Sequence, residues 1–179
     1  SGKTTLLNAL SALIPDEERV IRCEDTQELI IHAENTIGTE APKRFFSSDD
    51  GGYNITLSTL IETALRQRPD RILVGEIRDA FAADAFMQAI NTGHRGTCAT
   101  LHANSAERAV TRLQALAAGS GSIPYEVLKK EIFFNLDAIV QVERIRGVGR
   151  RVVEIATLEG ERLNTLFRYD RKSDQFIQC

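Results

Sequence analysis

The five residues at the start of the chain, Ser1-Gly2-Lys3-Thr4-Thr5, constrain the fold more than any later stretch. They match the second half of a phosphate-binding loop, G-x-x-x-x-G-K-[ST]. In such a loop a glycine lets the backbone approach an oxyanion closely, and the N–H groups at the start of the following helix point at that oxyanion. Lys3 is expected to contact the β- and γ-phosphates, and the Thr4 hydroxyl to bind Mg²⁺. Apolar residues at helical spacing follow directly and predict the required helix.

The same motif predicts that the chain is a fragment. A phosphate-binding loop follows a buried strand, and no residues precede Ser1 to form one. We therefore expect the first strand and the start of the loop to be missing. The open sheet edge would then favour aggregation. The isolated 179-residue fragment is expected to bind ATP weakly and to be inactive.

Composition indicates the broad class of protein. The chain is 42% hydrophobic and 26% charged, which is typical of a soluble globular domain, and 179 residues can bury a core. A net charge of −3 argues against a dedicated nucleic-acid binder. No apolar run approaches the ~20 residues that span a bilayer. The three cysteines contain no C-x-x-C pair, which predicts a reducing compartment without disulfides or a zinc site.

Acidic residues follow the first predicted strand. Residues 19–23 form a short β-type run, and the segment 24–28, with the sequence EDTQE, comes next. Carboxylates just past the carboxyl end of a strand lie where open α/β sheets place their ligands. The alternative is a solvated acidic turn, and the local pattern alone favours that interpretation.

A second carboxylate ends the most apolar strand. Residues 71–76, with the sequence RILVGE, predict a buried parallel strand that resembles the acidic end of a Walker B segment. Glu76 would hold Mg²⁺ through water or polarise the attacking water, and Gly75 would leave room for the phosphates. Arg78 lies within reach of the same sheet edge. A strand-terminal glutamate in solvent is the alternative.

Two histidines flank the next predicted strand, which runs from Gly96 to Leu101. Imidazole can donate a hydrogen bond to a phosphate, so His94 and His102 are candidates for sensing one. An isolated histidine is more often structural. Neither histidine pairs with cysteine or aspartate at metal-ligand spacing, so no zinc site is expected.

The remaining pattern predicts alternating helices and strands, followed by a β-rich end. Leu29–Ile31 is a possible strand, and residues 36–54 are expected to form an irregular polar loop. Helices are predicted after a Thr56 or Ser58 cap, after an Asp79 cap, after a Ser105 cap and from Pro124 to about Asn135. Strands are predicted over residues 138–144, 151–157 and 163–169.

Four motifs in a fixed order resemble those of the secretion and pilus-motor ATPases, the hexameric motors of type II and type IV secretion, type IV pili and tight-adherence pili. The chain carries a Walker A motif, an Asp box, a Walker B segment and a His box. These correspond to residues 1–5 (SGKTT), 24–29 (EDTQEL), 68–78 (RPDRILVGEIR), and 91–96 (NTGHRG) with 100–105 (TLHANS). The TLHANS wording and the late LFRY segment at 166–169 are most similar to the tight-adherence pilus and type IV secretion branch.

The resemblance implies an α/β fold with a RecA-like P-loop NTPase core, in which a mostly parallel sheet is flanked by helices. Residues 1–137 would form this ATPase core, without its first strand and the start of its phosphate loop. Residues 138–179 would form a small β-rich C-terminal extension of the same domain. The chain departs from the family pattern in two ways. It has no tetracysteine zinc insertion. The amino-terminal domain is also expected to be missing, and with it the arginines of that domain that commonly reach the nucleotide.

The resemblance also implies roles for individual residues. Glu28 would be the base or positioner for the attacking water, and Glu76 would serve Mg²⁺ and water together with Thr4. His94 and His102 would sense the γ-phosphate. The implied nucleotide-binding residues are Ser1, Gly2, Lys3, Thr4, Thr5 and Arg78.

The implied function is that of a cytoplasmic Mg-dependent ATPase at the inner face of the membrane, with ATP and Mg²⁺ as its cofactors. It would be a homo-hexamer that drives a secretion or pilus machine through inner-membrane platform proteins, in peripheral contact with the membrane and without direct nucleic-acid contact. A conjugative DNA-transfer motor of the same branch is one alternative. A non-catalytic subunit that binds nucleotide structurally or not at all is the other.

Overall fold

Two sheets of opposite character carry the fold in the computed structural model, which describes residues 2–42 and 54–179. Within those residues, the first sheet is parallel, with strand order β2-β1-β3-β4, and the second is antiparallel, with order β5-β6-β7-β8. The parallel strands are β1 (Val20–Glu24), β2 (Thr36–Glu40), β3 (Arg71–Ile77) and β4 (Cys98–Leu101). The antiparallel strands are β5 (Ala138–Ile145), β6 (Gly149–Glu159), β7 (Arg162–Asp170) and β8 (Gln175–Gln178). The predicted α/β class, with a β-rich end, is confirmed.

A helix precedes β1, and helices follow β2, β3 and β4; side-chain caps begin three of the helices in the described residues. Thr56, Asp79 and Ser105 each accept a hydrogen bond from the backbone N–H three residues later. Such caps satisfy N–H groups that have no partner within the helix. The helices are α1 (Lys3–Ser11), α2 (Leu57–Leu65), α3 (Ala80–Asn91), α4 (Ala106–Ala118) and α5 (Tyr125–Asn135).

The parallel sheet is covered on both faces. Ile72 and Val74 of β3 belong to the main core, which includes residues of α2, α3 and α4. Leu73 points to the other face and packs in a smaller cluster with Leu7 of α1. Successive side chains of a strand alternate between faces, so a continuously apolar β3 is what burial on both faces requires. This packing places the amino end of α1 beside the carboxyl ends of the strands.

The antiparallel sheet begins at Ala138 and packs on the helices of the core. Leu158 of β6 is buried within the main core cluster, and Ile139 packs against that cluster. The division into a core over residues 1–137 and an extension over 138–179 stays a prediction. In the described part of the chain, no helix is both long enough and apolar enough to cross a lipid bilayer.

Two predictions along the chain need correction, and one strand was not predicted. Leu29–Ile31 is not a strand, because the chain there folds around the side chain of Glu24, which accepts the N–H of Leu29. The irregular loop predicted over residues 36–54 instead begins with strand β2 (Thr36–Glu40). Residues 43–53 of the predicted loop lie outside the described residues. Strand β8 was missed, since its exposed, polar-flanked sequence carries no apolar alternation.

Candidate active site

The turn before α1 has a backbone conformation that favours glycine. Gly2 has φ +108° and ψ 6°, a left-handed conformation that L side chains rarely adopt. The next residues begin the helix, whose first N–H groups have no partner within it. Such a helix end attracts anions. Ser1 lies outside the described residues.

A polar cavity of about 460 Å³ opens at this helix end. Its walls come from the first turn of α1, the end of β1 and the turn after it, the carboxyl ends of β3 and β4, and the start of β6. The predicted site residues that line it are Gly2, Lys3, Thr4, Thr5, Glu28, Glu76, Arg78 and His102. Lysine and carboxylates that are far apart in sequence therefore meet around one space.

Glu76 is the centre of the charged network in this cavity. Its Oε1 lies 2.8 Å from Nε2 of His102 and 3.5 Å from Nζ of Lys3. Its Oε2 accepts a hydrogen bond of 2.7 Å from Nε of Arg78. The Lys3 ammonium also lies 3.2 Å from Nε2 of His102. One carboxylate thus has three cationic or potentially cationic neighbours.

These neighbours determine the charge state of Glu76. Burial alone would raise the pKa of its carboxyl group. The hydrogen bond from Arg78 and the positive charges of His102, Arg78 and Lys3 outweigh burial, so the pKa of Glu76 lies below its ordinary value. The same contact raises the pKa of Arg78. Glu76 is therefore ionised at neutral pH.

Glu28 lies beside the hydroxyl group predicted to bind the metal. Oγ1 of Thr4 donates a hydrogen bond of 3.1 Å to Oε2 of Glu28. The side chain of Glu28 is exposed to the cavity rather than buried. An exposed carboxylate at this position can accept a hydrogen bond from a water molecule as well as from Thr4.

A buried carboxylate holds the segment that carries Glu28. Glu24 is only 2% exposed, and its Oε1 accepts hydrogen bonds of 2.8 Å from the backbone N–H groups of both Glu28 and Leu29. Arg22 lies 3.4 Å from its other carboxylate oxygen and also donates to the carbonyl of Leu29. The Asp box is therefore folded around Glu24, and this fixes the backbone from which Glu28 projects.

Gly75 has a packing role besides the predicted one, which stays a prediction. The space beside it is filled by Glu24, since a Cβ at position 75 would stand 3.1 Å from Cγ of Glu24. Real Cβ contacts are rarely so close. The missing side chain at this position therefore allows Glu24 at the end of β1 to pack closely against β3.

His94 and His102 lie at opposite ends of β4. His102 follows the strand and lines the cavity, whereas His94 precedes the strand and is hydrogen bonded to Thr92 Oγ1 at 3.0 Å. All strands of this parallel sheet run in the same direction, so the amino end of β4 lies on the side of the sheet opposite to the carboxyl ends that line the cavity. The structure does not bring His94 to the cavity of this chain, and its role as a phosphate sensor stays a prediction from the resemblance.

Besides Gly75, five described residues that line the cavity were not among the predicted site residues: Glu24, Asp25, Thr26, Thr100 and Arg150. Burial raises the pKa of Asp25, against the opposing charge of Arg78. Glu24 and Asp25 lie within the Asp box, but nothing in the sequence separates their roles from that of Glu28. Arg150 is the second residue of β6, in the hairpin that β5 and β6 form. No local sequence pattern indicates that it reaches the turn at Gly2.

The donor groups in the cavity fit a Mg-nucleotide. Among the described residues, no group of three or more His, Cys, Asp and Glu side chains is arranged to hold a metal ion unaided. Mg²⁺ does not need such a group, because it is usually held by one or two protein oxygens together with phosphates and water. The hydroxyl of Thr4 and the ionised carboxylate of Glu76 are suitable oxygens, and Lys3 matches a phosphate.

Comparison with known proteins identifies the family. A profile described as "Type II/IV secretion system protein" matches residues 1–146. The chain belongs to this family. It is 40% identical over 168 residues to the conjugal transfer protein TrbB of Rhizobium radiobacter, covering 92% of this chain and 47% of TrbB. It is 38% identical over 151 residues to the type IV secretion system protein VirB11 of Bartonella henselae, covering 82% and 41%.

A solved structure agrees with this assignment. The VirB11 ATPase of the Brucella suis type IV secretion system, crystallised in complex with sulphate, matches with a TM-score of 0.75 and 31% identity. The match covers 87% of this chain and 45% of that one. The predicted membership in the secretion ATPase family, including its type IV branch, is confirmed. The chain spans a little under half the length of these relatives.

Proposed function

We propose that the protein carrying this chain is a Mg-dependent ATPase that powers a bacterial secretion or pilus-assembly machine. The observation that carries the proposal is the meeting of Lys3, Glu28 and Glu76 around one cavity at the amino end of α1. Membership in the type II/IV secretion family supports the same conclusion. The residue types present are those that phosphoryl transfer needs, because its catalysis consists mainly of positioning and charge stabilisation.

Lys3 and the first N–H groups of α1 bind the phosphate chain in this proposal. Gly2 carries no side chain, so the backbone can approach the phosphates closely. The hydroxyl of Thr4 and the carboxylate of Glu76 would hold Mg²⁺, Glu76 partly through water. When bound, the metal neutralises charge on the phosphate oxygens.

Glu28 positions the attacking water. Its carboxylate accepts a hydrogen bond from Thr4, so it lies next to the hydroxyl that would bind the metal. The hydrogen bonds from its own N–H and that of Leu29 to Glu24 keep its backbone in place. Holding a reactive group in one geometry removes much of the entropic cost of the reaction.

His102 and Arg78 respond to the charge of the substrate. Both contact Glu76, on different carboxylate oxygens. A γ-phosphate near Lys3 would compete with Glu76 for these donors, and the contacts of His102 would then depend on whether the γ-phosphate is present. This is the sensing role that the resemblance implies for His102.

The machine is proposed to be a tight-adherence or type IV secretion system. The ATPase would act as a homo-hexamer in the cytoplasm, at the inner face of the membrane, with inner-membrane platform proteins as partners. Hydrolysis would shift an amino-terminal domain against this one and so transmit force.

A conjugative DNA-transfer motor is the second candidate, and one observation favours it. TrbB, a conjugal transfer protein, is 40% identical over 92% of this chain. Deleting the gene separates the candidates: loss of plasmid transfer with intact pili supports conjugation, and loss of surface pili with intact transfer supports pilus assembly. Neighbouring genes give a second test: pilin genes would support pilus assembly, and relaxase genes would support conjugation.

Phosphate release tests the ATPase proposal. With the whole protein and Mg²⁺, Glu28→Gln and Glu76→Gln are each expected to lower turnover by roughly 100-fold while ATP binding persists. Glu62→Gln, an exposed glutamate of α2 outside the cavity, is the matched control and should leave turnover unchanged. A whole protein that releases no phosphate, in any oligomeric state, would favour the non-catalytic subunit instead.

A further inference from the structure

We propose that Arg150 is a phosphate-binding residue of the nucleotide site, supplied by the antiparallel sheet; this rests on the proposed nucleotide function. Arg150 lies at the start of β6, far in sequence from all four family motifs. It lines the same cavity as Lys3. Its Cδ stands 3.0 Å from the position that a Cβ on Gly2 would occupy, so the side chain lies against the phosphate-binding turn.

The charge of Arg150 is not neutralised by any ion pair found in residues 2–42 and 54–179. Its neighbour Arg151 lies 3.9 Å from Asp174, and two arginines farther along the sheet, Arg168 and Arg171, also have carboxylate partners. Arg150 therefore reaches the cavity without a carboxylate partner in the described part of the chain, and its charge is available to a ligand.

A second arginine increases the positive charge on this face of the hairpin. Arg144 of β5 pairs directly with Arg150 in the strand register, so the two side chains share a face. Like charges opposite one another on a sheet are destabilising. An anion bound beside Arg150 would relieve this repulsion. Val142, on the same face, also lies against Gly2, at 3.4 Å from the same Cβ position.

Arginine is suited to a phosphate at this position. Its planar guanidinium donates two parallel hydrogen bonds to phosphate oxygens, and it remains charged at any physiological pH. Lys3 reaches the cavity from α1, whereas Arg150 reaches it from β6 of the antiparallel sheet. A phosphate chain at this turn would therefore contact one cationic side chain from the α/β core and one from the antiparallel sheet. The appended sheet would contribute to affinity directly.

Nucleotide titrations of the whole protein test this inference. Arg150→Ala is expected to weaken binding of fluorescent ATP and ADP about tenfold, which corresponds to about 1.4 kcal/mol. Arg150→Lys should restore part of the affinity, because it keeps the charge without the bidentate geometry. Arg146→Ala, at the exposed tip of the same hairpin and outside the cavity, is the matched control and should bind as the wild type does.

Two results would overturn the inference. One is equal affinity for ATP in the Arg150→Ala and Arg146→Ala variants, with both folded by circular dichroism. The other is an equal loss of affinity for ATP and for fluorescent adenosine, since that would assign Arg150 to the base or ribose. A wild-type protein that binds no nucleotide would contradict the proposed function itself. Nucleotide binding that Lys3→Ala abolishes and Arg150→Ala does not change would contradict this inference alone.

Discussion

Both ends of strand β3 carry an ion pair, and the two pairs differ in the number of partners around the carboxylate. At the amino end, Nη2 of Arg71 donates to Oε1 of Glu18 at 2.9 Å, and Nε contacts the other oxygen of the same carboxylate. At the carboxyl end, Glu76 is shared among Lys3, Arg78 and His102.

The difference shows what separates a structural ion pair from a candidate site. A bidentate pair such as Arg71–Glu18 satisfies both partners and fixes the segment before β1 to the start of β3. A shared carboxylate such as Glu76 leaves its cations able to exchange it for another anion. The presence of an ion pair therefore carries little functional information, and the arrangement of its partners carries more.

The largest effect is expected from Lys3 at the carboxyl end. Lys3→Ala should lower ATP turnover of the whole protein by roughly 100-fold or more, because a preorganised positive charge on the transferred phosphate is lost. Phosphate release at saturating ATP measures this. Near-normal release would remove Lys3 from the mechanism and would leave the two ends of β3 functionally alike.

A smaller effect is expected from His102. His102→Ala should lower turnover about tenfold, since one hydrogen bond to a charged group contributes about 1.5–3 kcal/mol. His94→Ala, at the opposite end of β4, should cause the smaller loss of the two. Measuring kcat and KM for both variants ranks them. A greater loss for His94→Ala would mean that His94 acts in a site that this chain does not form alone.

The smallest effect is expected at the amino end, and it depends on pH. The hydrogen bond from Arg71 holds the pKa of Glu18 below its ordinary value. A lowered pKa in the folded protein means that the contribution to stability is complete at neutral pH and is lost as the pH falls through that pKa. Glu18→Gln should therefore lower Tm slightly at pH 7, leave kcat unchanged, and converge with the wild type in acid. A kcat defect in this variant would contradict the comparison.

The order of elements and the core were readable from the sequence. Apolar periodicity, Pro and Gly stops and cap residues such as Asp79 and Ser105 predicted α3 and α4 close to their observed positions, because these signals are local. The continuous apolar run of β3 likewise predicted a strand buried on both faces. Strands β2 and β8 were missed, since short strands at the edge of a sheet depend on pairing with neighbours that the local sequence does not encode.

The site was predictable where the family motifs contain the chemistry, and less so elsewhere. Parallel strands meet at one edge, and this places Glu28, Glu76 and His102 together once the strands are recognised. The same reasoning, applied to strand direction, argues against placing His94 with them. The position of Arg150 in the cavity could not be foreseen, because it depends on how the antiparallel sheet packs against the turn at Gly2.

The close packing of Glu24 on Gly75 links two strand ends that are distant in sequence. A methyl group at position 75 would press on the Glu24 side chain and loosen its hold on the N–H groups of Glu28 and Leu29. An engineer who redesigned the end of β3 would therefore also have to redesign the end of β1, choosing both sets of residues in a single step.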